Sequence, residues 1–554
     1  MRKRVLSVAL LLSSVVSLNA QSLSDVFEPR VVAVPPSDAY VGLSMTEDGE
    51  LRHYNYSEQR VDGSPYYISS RDSGFTWSRV NLPFDIPYAD IRSPRSGEYI
   101  RAIHSTNRTF VVRTVGGIDG GRTITMIDSA LSIMLKPPVF ADGGSRIVIG
   151  AHHTDRKGCF TYVSTDDGLS WQKSNIVNTP FHTSGGFHRG VRWNHGAVEP
   201  TVIEKLDGTL WMIMRTSLDR HYESFSVDGG LTWSEPSESQ FYGTITMPTL
   251  HRMEDGRLLF FWCNTTPLPE MESATGVWDD VFTNRNVAHV AISEDDGNSW
   301  IGMRELYIDP LRNSEVFGES AGIDKSVHQV QAVEVAPGKI LVSVGQHELH
   351  RRMLLFDVEW LYETQRESHF EDSLSQWSAF RYFKGIVGHC GYNRQEMPLI
   401  EAHPDKEGEN VLRIGYQADS RFVEDNYGAV WNFPAAHSGV VELSVRIPEG
   451  AQPVDLVLND RWFNPTDTVA RYENQYCVEL SRGALGIKDD GWHRVRLEWG
   501  SDGRATLYVG RRRVCRLLVN DSSENGISYL HLLGGTEPDS VGVMVEWVSA
   551  AGGA

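Results

Sequence analysis

The chain is written in short runs of apolar residues broken by polar turns. The clearest stretch runs from Glu199 to Lys205, turns at Asp207-Gly208, returns from Leu210 to Arg215, and continues from Tyr222 to Ser226. Segments of this length separated by Asp-Gly turns predict an antiparallel meander of strands. Similar turns stand at Asp48-Gly49, Asp142-Gly143, Asp255-Gly256 and Pro337-Gly338, so the meander recurs through the first two thirds of the chain. After Trp360-Leu361-Tyr362-Glu363 the texture changes through a polar stretch, Thr364 to Ser375. Beyond it Val440 to Val445, Val495 to Trp499 and Ala505 to Val509 alternate apolar with polar residues, as antiparallel strands with one buried face do.

An eight-residue motif, SxDxGx[ST]W, overlies the meanders four times. Its copies begin at Ser70, Ser164, Ser226 and Ser293, at intervals of 94, 62 and 67 residues. The Asp side chain can bond its own turn backbone, the Gly supplies an open conformation, and the Trp packs on the sheet. Recurrence of a whole supersecondary unit predicts a repeat architecture. These motifs resemble the Asp-boxes of sialidase-like β-propellers, and the likeness covers roughly residues 25 to 360. With about 40 to 50 residues per blade, the first interval hides a box-free blade near residues 95 to 140, and Gln329 to Leu361 supplies another. The expected fold is all-β: a six-bladed β-propeller over residues 21–365, then a β-sandwich over 366–554. Gly491-Trp492-His493-Arg494-Val495 and Leu507-Tyr508-Val509 resemble laminin-G or concanavalin-like sandwiches. Such a sandwich binds glycan in some proteins and only buttresses the enzyme in others.

Composition adds a location and removes some partners. Met1-Arg2-Lys3-Arg4, the apolar run Val5 to Leu18, and Asn19-Ala20-Gln21 have the three regions of a secretory signal, so residues 1–20 are expected to be removed on export. No later stretch has the apolar length of a membrane span. The net charge of −20 disfavours nucleic acid and anionic membranes, and an anionic ligand would need a local Arg cluster. Five scattered cysteines form neither a disulfide scaffold nor a clustered metal site, leaving a single pair such as Cys477 with Cys515 open.

In a propeller the ends of the second strands and the starts of the first and third meet in one funnel, while the boxes lie at the opposite edge. Glu199 and Arg215 flank the blade-four turn so that both reach the funnel, and Arg285 opens the third strand of blade five. The resemblance implies that Glu199 is catalytic and that Arg215 and Arg285 are two of three arginines gripping a carboxylate. A Glu–Arg pair that merely supports the blade is the alternative for the first two. Guanidinium groups suit a carboxylate because their planar donors bind it at two points.

Two features depart from the family. Its first triad Arg stands in an Arg-Ile-Pro string, where this chain has Ala39-Tyr40-Val41-Gly42, and its Tyr nucleophile is replaced near the Gly338 turn by His328. His328 is read as an acid or base beside Glu199, or as an interior His satisfied by its neighbours. Asp62 is the available acid/base carboxylate, with a turn role as its alternative. His195, His152 and Arg92 are further candidates to line the funnel, Arg92 as a substitute for the absent Arg. The His spacing fits no compact metal site, and no metal or cofactor is expected. The expected activity is an atypical glycoside hydrolase acting on a terminal, acidic sugar of a glycan. A lyase acting on uronate-containing glycans and a non-catalytic glycan-binding propeller are the rivals.

Overall fold

The computed structural model describes residues 22–553, except 36–41, 55–65, 82–90, 106, 116–120, 184–194, 244, 266–284, 286, 310–326, 346–350, 372–373, 388–390, 396–399, 417–426, 463–474, 520–522 and 536–538. The expected leader and Asp62 fall outside the described residues.

Six antiparallel sheets make the blades. Blade one runs from Leu43 to Asn81, blade two from Ile91 to Asp128, blade three from Ser132 to Lys173, blade four from Val198 to Tyr242, and blade five from Thr249 to Ile308. The box-free blade expected near residues 95 to 140 is the sheet built from Ile91–Arg92, Tyr99–Ser105, Arg108–Val115 and Gly121–Asp128. Blade six takes three strands from the end of the repeat, Gln331–Ala336, Lys339–Val344 and Arg352–Asp357. Its fourth, Arg30–Ala33, comes from the start of the chain and pairs with Arg352–Asp357. One strand therefore closes the ring by joining its two ends, and sheet edges that would otherwise stay open are paired.

Burial follows the blade joints. Each joint is filled by the facing sides of two neighbouring sheets: Leu259, Val290, Ile340 and Leu354 between blades five and six, and Ile213, Phe260, Trp262 and Trp300 between four and five. The boxes lock the turns as the motif requires. In the third, Ser226 Oγ donates to Asp228 Oδ1 at 2.8 Å, and the Thr232 amide and hydroxyl donate to the same carboxylate at 2.9 and 2.7 Å. Gly297 of the fourth box has φ +87°, and a Cβ there would lie 2.6 Å from the Trp211 ring.

The second unit is a sandwich of an eight-stranded and a six-stranded sheet. Its core includes Trp377, Trp431, Leu443, Leu497, Leu530 and Val545. Gln365–Ser368 already pairs with Asp539–Gly552 of the larger sheet. The smaller sheet turns its outer face to blade five through a buried polar chain. The Asn264 amide donates to His289 Nδ1 at 3.0 Å, which leaves the ring proton on Nε2 to reach the Tyr529 hydroxyl at 2.5 Å. Tyr529 in turn donates to Glu305 at 2.8 Å. Cys477 lies on a strand of the smaller sheet and Cys515, a free thiol, on a strand of the larger. The pair left open in the sequence does not form, because Cys477 faces outward from its sheet instead of across the sandwich toward Cys515.

Candidate active site

Glu199 sits where the first strand of blade four is irregular. Pro200 has no amide to donate, the register shifts between Val198 and Thr201, and Glu199 itself takes φ +50°. A left-handed backbone at a non-glycine residue costs on the order of 1–3 kcal/mol and persists only where its surroundings hold it. Here the holders are visible: the Glu199 amide donates to His152 Nδ1 at 3.1 Å, and its carboxylate accepts from Arg215 Nη1 at 2.8 Å. Both side chains of that ion pair are buried. The Asp207-Gly208 hairpin brings them together, since Arg215 lies opposite Val198 in the ladder.

Two more arginines complete the cluster. Arg285 is 1% exposed, and its carbonyl accepts from the Val327 amide at 2.7 Å. Arg156 stands in the turn after His153 with φ +55°, its carbonyl accepting from the Gly196 amide at 2.9 Å. Arg285 is near enough to disfavour the charge on both Arg215 and Arg156, while Glu199 favours it on both. Burial works against ionised Glu199, but Arg215, His152 and Arg156 together hold its carboxyl down at about 2. Burial also pushes His152 down to about 4 and His195 to about 3, with Arg215 and Arg156 adding to both. Near neutral pH the imidazoles are uncharged. Among the described residues Arg215 and Arg156 then act on the Glu199 carboxylate while Arg285 acts on both of them, and the excess positive charge suits an anion.

The sequence candidates divide. Glu199, Arg215, Arg285, His152 and His195 converge here, His195 by a contact of 2.6 Å from Nδ1 to the Gly196 carbonyl beside Arg156. Arg92 does not. It is ion-paired with Glu47 and donates to the Gly97 carbonyl at 3.3 Å, in the turn whose Ser93 bonds Asp167 of the blade-three box. Arg92 therefore stands at the box edge, opposite the funnel. His328 is buried beside Arg285, with the Met247 amide donating to Nδ1 at 3.2 Å and the Arg285 guanidinium against Nε2. Both ring nitrogens face donors, and a neutral imidazole accepts at only one of them, so the Met247 amide and the Arg285 guanidinium compete for its lone pair. Arg156 was missed, although it follows the end of a second strand at the funnel edge, the position that singled out Arg215.

Elsewhere, His403, Glu409 and Glu546 of the sandwich come within ligand distance of one another. Lys406 already serves that cluster, donating to Glu546 at 2.5 Å and to Glu409 at 3.2 Å. On the same sheet Arg494 covers Trp547, Arg496 covers Tyr508 and His403 stacks on Trp492, so these rings are already engaged.

The model of the BNR repeat-like domain matches residues 43–316, from the first strand of blade one to just past blade five. The first five blades thus carry a BNR repeat-like domain. No curated protein matches the chain at a significant level. Among solved structures, a Dyadobacter fermentans protein of unknown function is similar at 15% identity and TM-score 0.39, over 60% of this chain and 98% of its own. Trypanosoma rangeli sialidase is similar at 13% identity and TM-score 0.34, over 95% of this chain and 92% of its own. Such scores are too low to carry roles from those proteins onto residues of the BNR propeller.

Proposed function

We propose that this BNR propeller is a glycoside hydrolase that removes a terminal acidic sugar from glycans outside the cytoplasm. The observation that carries the reading is the cluster of Arg156, Arg215 and Arg285 from three successive blades, in which Glu199 acts on the first two and is the cluster's one carboxylate among the described residues. A buried cluster of guanidinium groups binds a carboxylate by charge-assisted, two-point hydrogen bonds. Glu199 keeps the cluster partly neutralised when no ligand is bound. With substrate present, its fixed negative charge favours the positive charge that develops on the sugar ring as the glycosidic bond breaks. His328 lies beside Arg285 in this scheme, and Arg156 takes the place of the Arg-Ile-Pro arginine missing from blade one. Because blade one lacks that string and His328 stands where the family has its Tyr nucleophile, ordinary sialosides are expected to be poor substrates.

A product assay over oligosaccharides with different terminal acidic sugars tests the proposal. Hydrolysis releases a new reducing sugar, and that is the expected result. An ultraviolet-absorbing unsaturated uronate would make the protein a lyase, and tight binding with no product would make it a glycan-binding module. Rapid cleavage of ordinary sialosides would overturn the predicted specificity.

A further inference from the structure

Beneath Glu199 the inner strands of blades one, three, four, five and six line an axial cavity of about 320 Å³. The strand of blade three is interrupted there. Ser132–Ile133 and Val139–Ala141 both pair with Arg146–His153, but residues 134–138 leave the ladder, where Pro137 and Pro138 have no amide to donate. Lys136 lies in this gap, lines the cavity, and donates from Nζ to Thr249 Oγ1 on the inner strand of blade five. The Thr249 hydroxyl proton is committed to the Val330 carbonyl at 2.9 Å. Thr249 therefore only accepts from Lys136, and an uncharged amine could keep this bond while its lone pair stays available.

Next to Glu199 the groups hold one protonation state through neutrality: Glu199 is ionised, His152 and His195 are uncharged, and Arg215 and Arg156 are charged. We propose that Lys136 is the general base of this site, taking a proton from the water that attacks the anomeric carbon of a sugar held by the three arginines. This rests on the hydrolase reading and deepens it. As the water O–H bond breaks, its proton passes to Nζ and its oxygen bonds to the anomeric carbon. The glycosidic C–O bond breaks with its electron pair on the leaving oxygen, which takes a proton from solvent. Lys136 then returns its proton to solvent, so the net reaction consumes one water.

Burial lowers the Lys136 ammonium to about 7 against the pull of Glu199 in the opposite direction, and a base works best when its pKa lies near the working pH. The other charged or titratable groups lining the cavity are engaged or uncharged. Glu204 accepts from the Asp142 amide, Arg252 is paired with Asp296, and burial pushes His251 down to about 4. Turnover should therefore rise with pH through about 7 and level off above it. Removing the Glu199 charge lowers the Lys136 pKa and moves that rise to lower pH.

Competitive labelling of the intact protein with acetic anhydride, read by mass spectrometry between pH 5 and 11, gives the titration of Lys136 without any substrate. A midpoint near 7 is expected, and one near the ordinary lysine value overturns the proposal. On the substrate found by the product assay, Lys136→Arg, which stays protonated, should lose about 10²- to 10⁴-fold in kcat with KM little changed. Lys136→Met should do the same, guarding against a fold defect in either variant. If wild type hydrolyses the substrate and both variants keep its kcat and its rise near pH 7, the base role fails while the hydrolase reading survives. Wild-type protein that hydrolyses no glycoside ends both.

Discussion

The two rims of the propeller spend their polar groups differently. At the box rim the same Ser, Asp and Ser/Thr side chains bond one another within single turns, and the pattern repeats in blades one, three, four and five. At the funnel rim nothing repeats: Glu199, Arg156, Arg215, Arg285 and Lys136 come from blades three, four and five and act on one another across the axis. Left-handed residues occur on both rims, but at the boxes Ser73, Asp167 and Asp296 each stand directly before the box glycine at one repeated place, whereas Glu199 and Arg156 take that conformation at places that do not recur. Repetition marks what holds the scaffold, and its absence marks where a ligand is expected.

Variants at the two rims should separate those roles. The largest effect is expected for Arg215→Met, which leaves Glu199 buried and unpaired. Breaking such a pair costs about 3–5 kcal/mol, measurable by urea unfolding, and ligand binding should go with it. The same pair gives an acid limit. Glu199 is held at about 2, below its unfolded value, so its contribution is complete above about pH 4.5 and fades as pH falls toward 2. Glu199→Gln should flatten the stability profile across that window. Next comes Gly297→Ala, where backbone strain on the order of 1–3 kcal/mol and a clash with Trp211 should lower stability but leave activity per folded molecule intact. Asp228→Ala should cost about 1–2 kcal/mol through its lost hydrogen bonds, again without touching ligand affinity. A box variant that abolished binding in folded protein would erase the contrast between the rims.

What the sequence disclosed follows the same division. The blade count was legible because boxes and turns recur, and the Glu199–Arg215 pair because a hairpin with a known turn fixes which residues share an edge. Arg92 was misplaced because blade two has no box to set its register, so its first strand could not be oriented from spacing. Arg156 was passed over because it lies in a turn rather than a strand, in a conformation no residue pattern announces. Lys136 gave only the Pro137-Pro138 signal, which says that pairing stops and nothing about which blade the freed side chain will meet. The strand Arg30–Ala33 was unread for a similar reason, since its partner lies more than 300 residues away.

Whether the funnel arginines hold a carboxylate can be read from one pair of ligands. Calorimetry with a uronate monosaccharide and its carboxyl-reduced, neutral counterpart puts that single group to the test. The uronate should bind the wild-type protein more tightly, and Arg285→Ala should remove the difference by a loss of about 2–5 kcal/mol for the uronate alone. Equal binding of the two sugars, or a preference for the uronate that survives in folded Arg285→Ala, would contradict a carboxylate grip by these arginines.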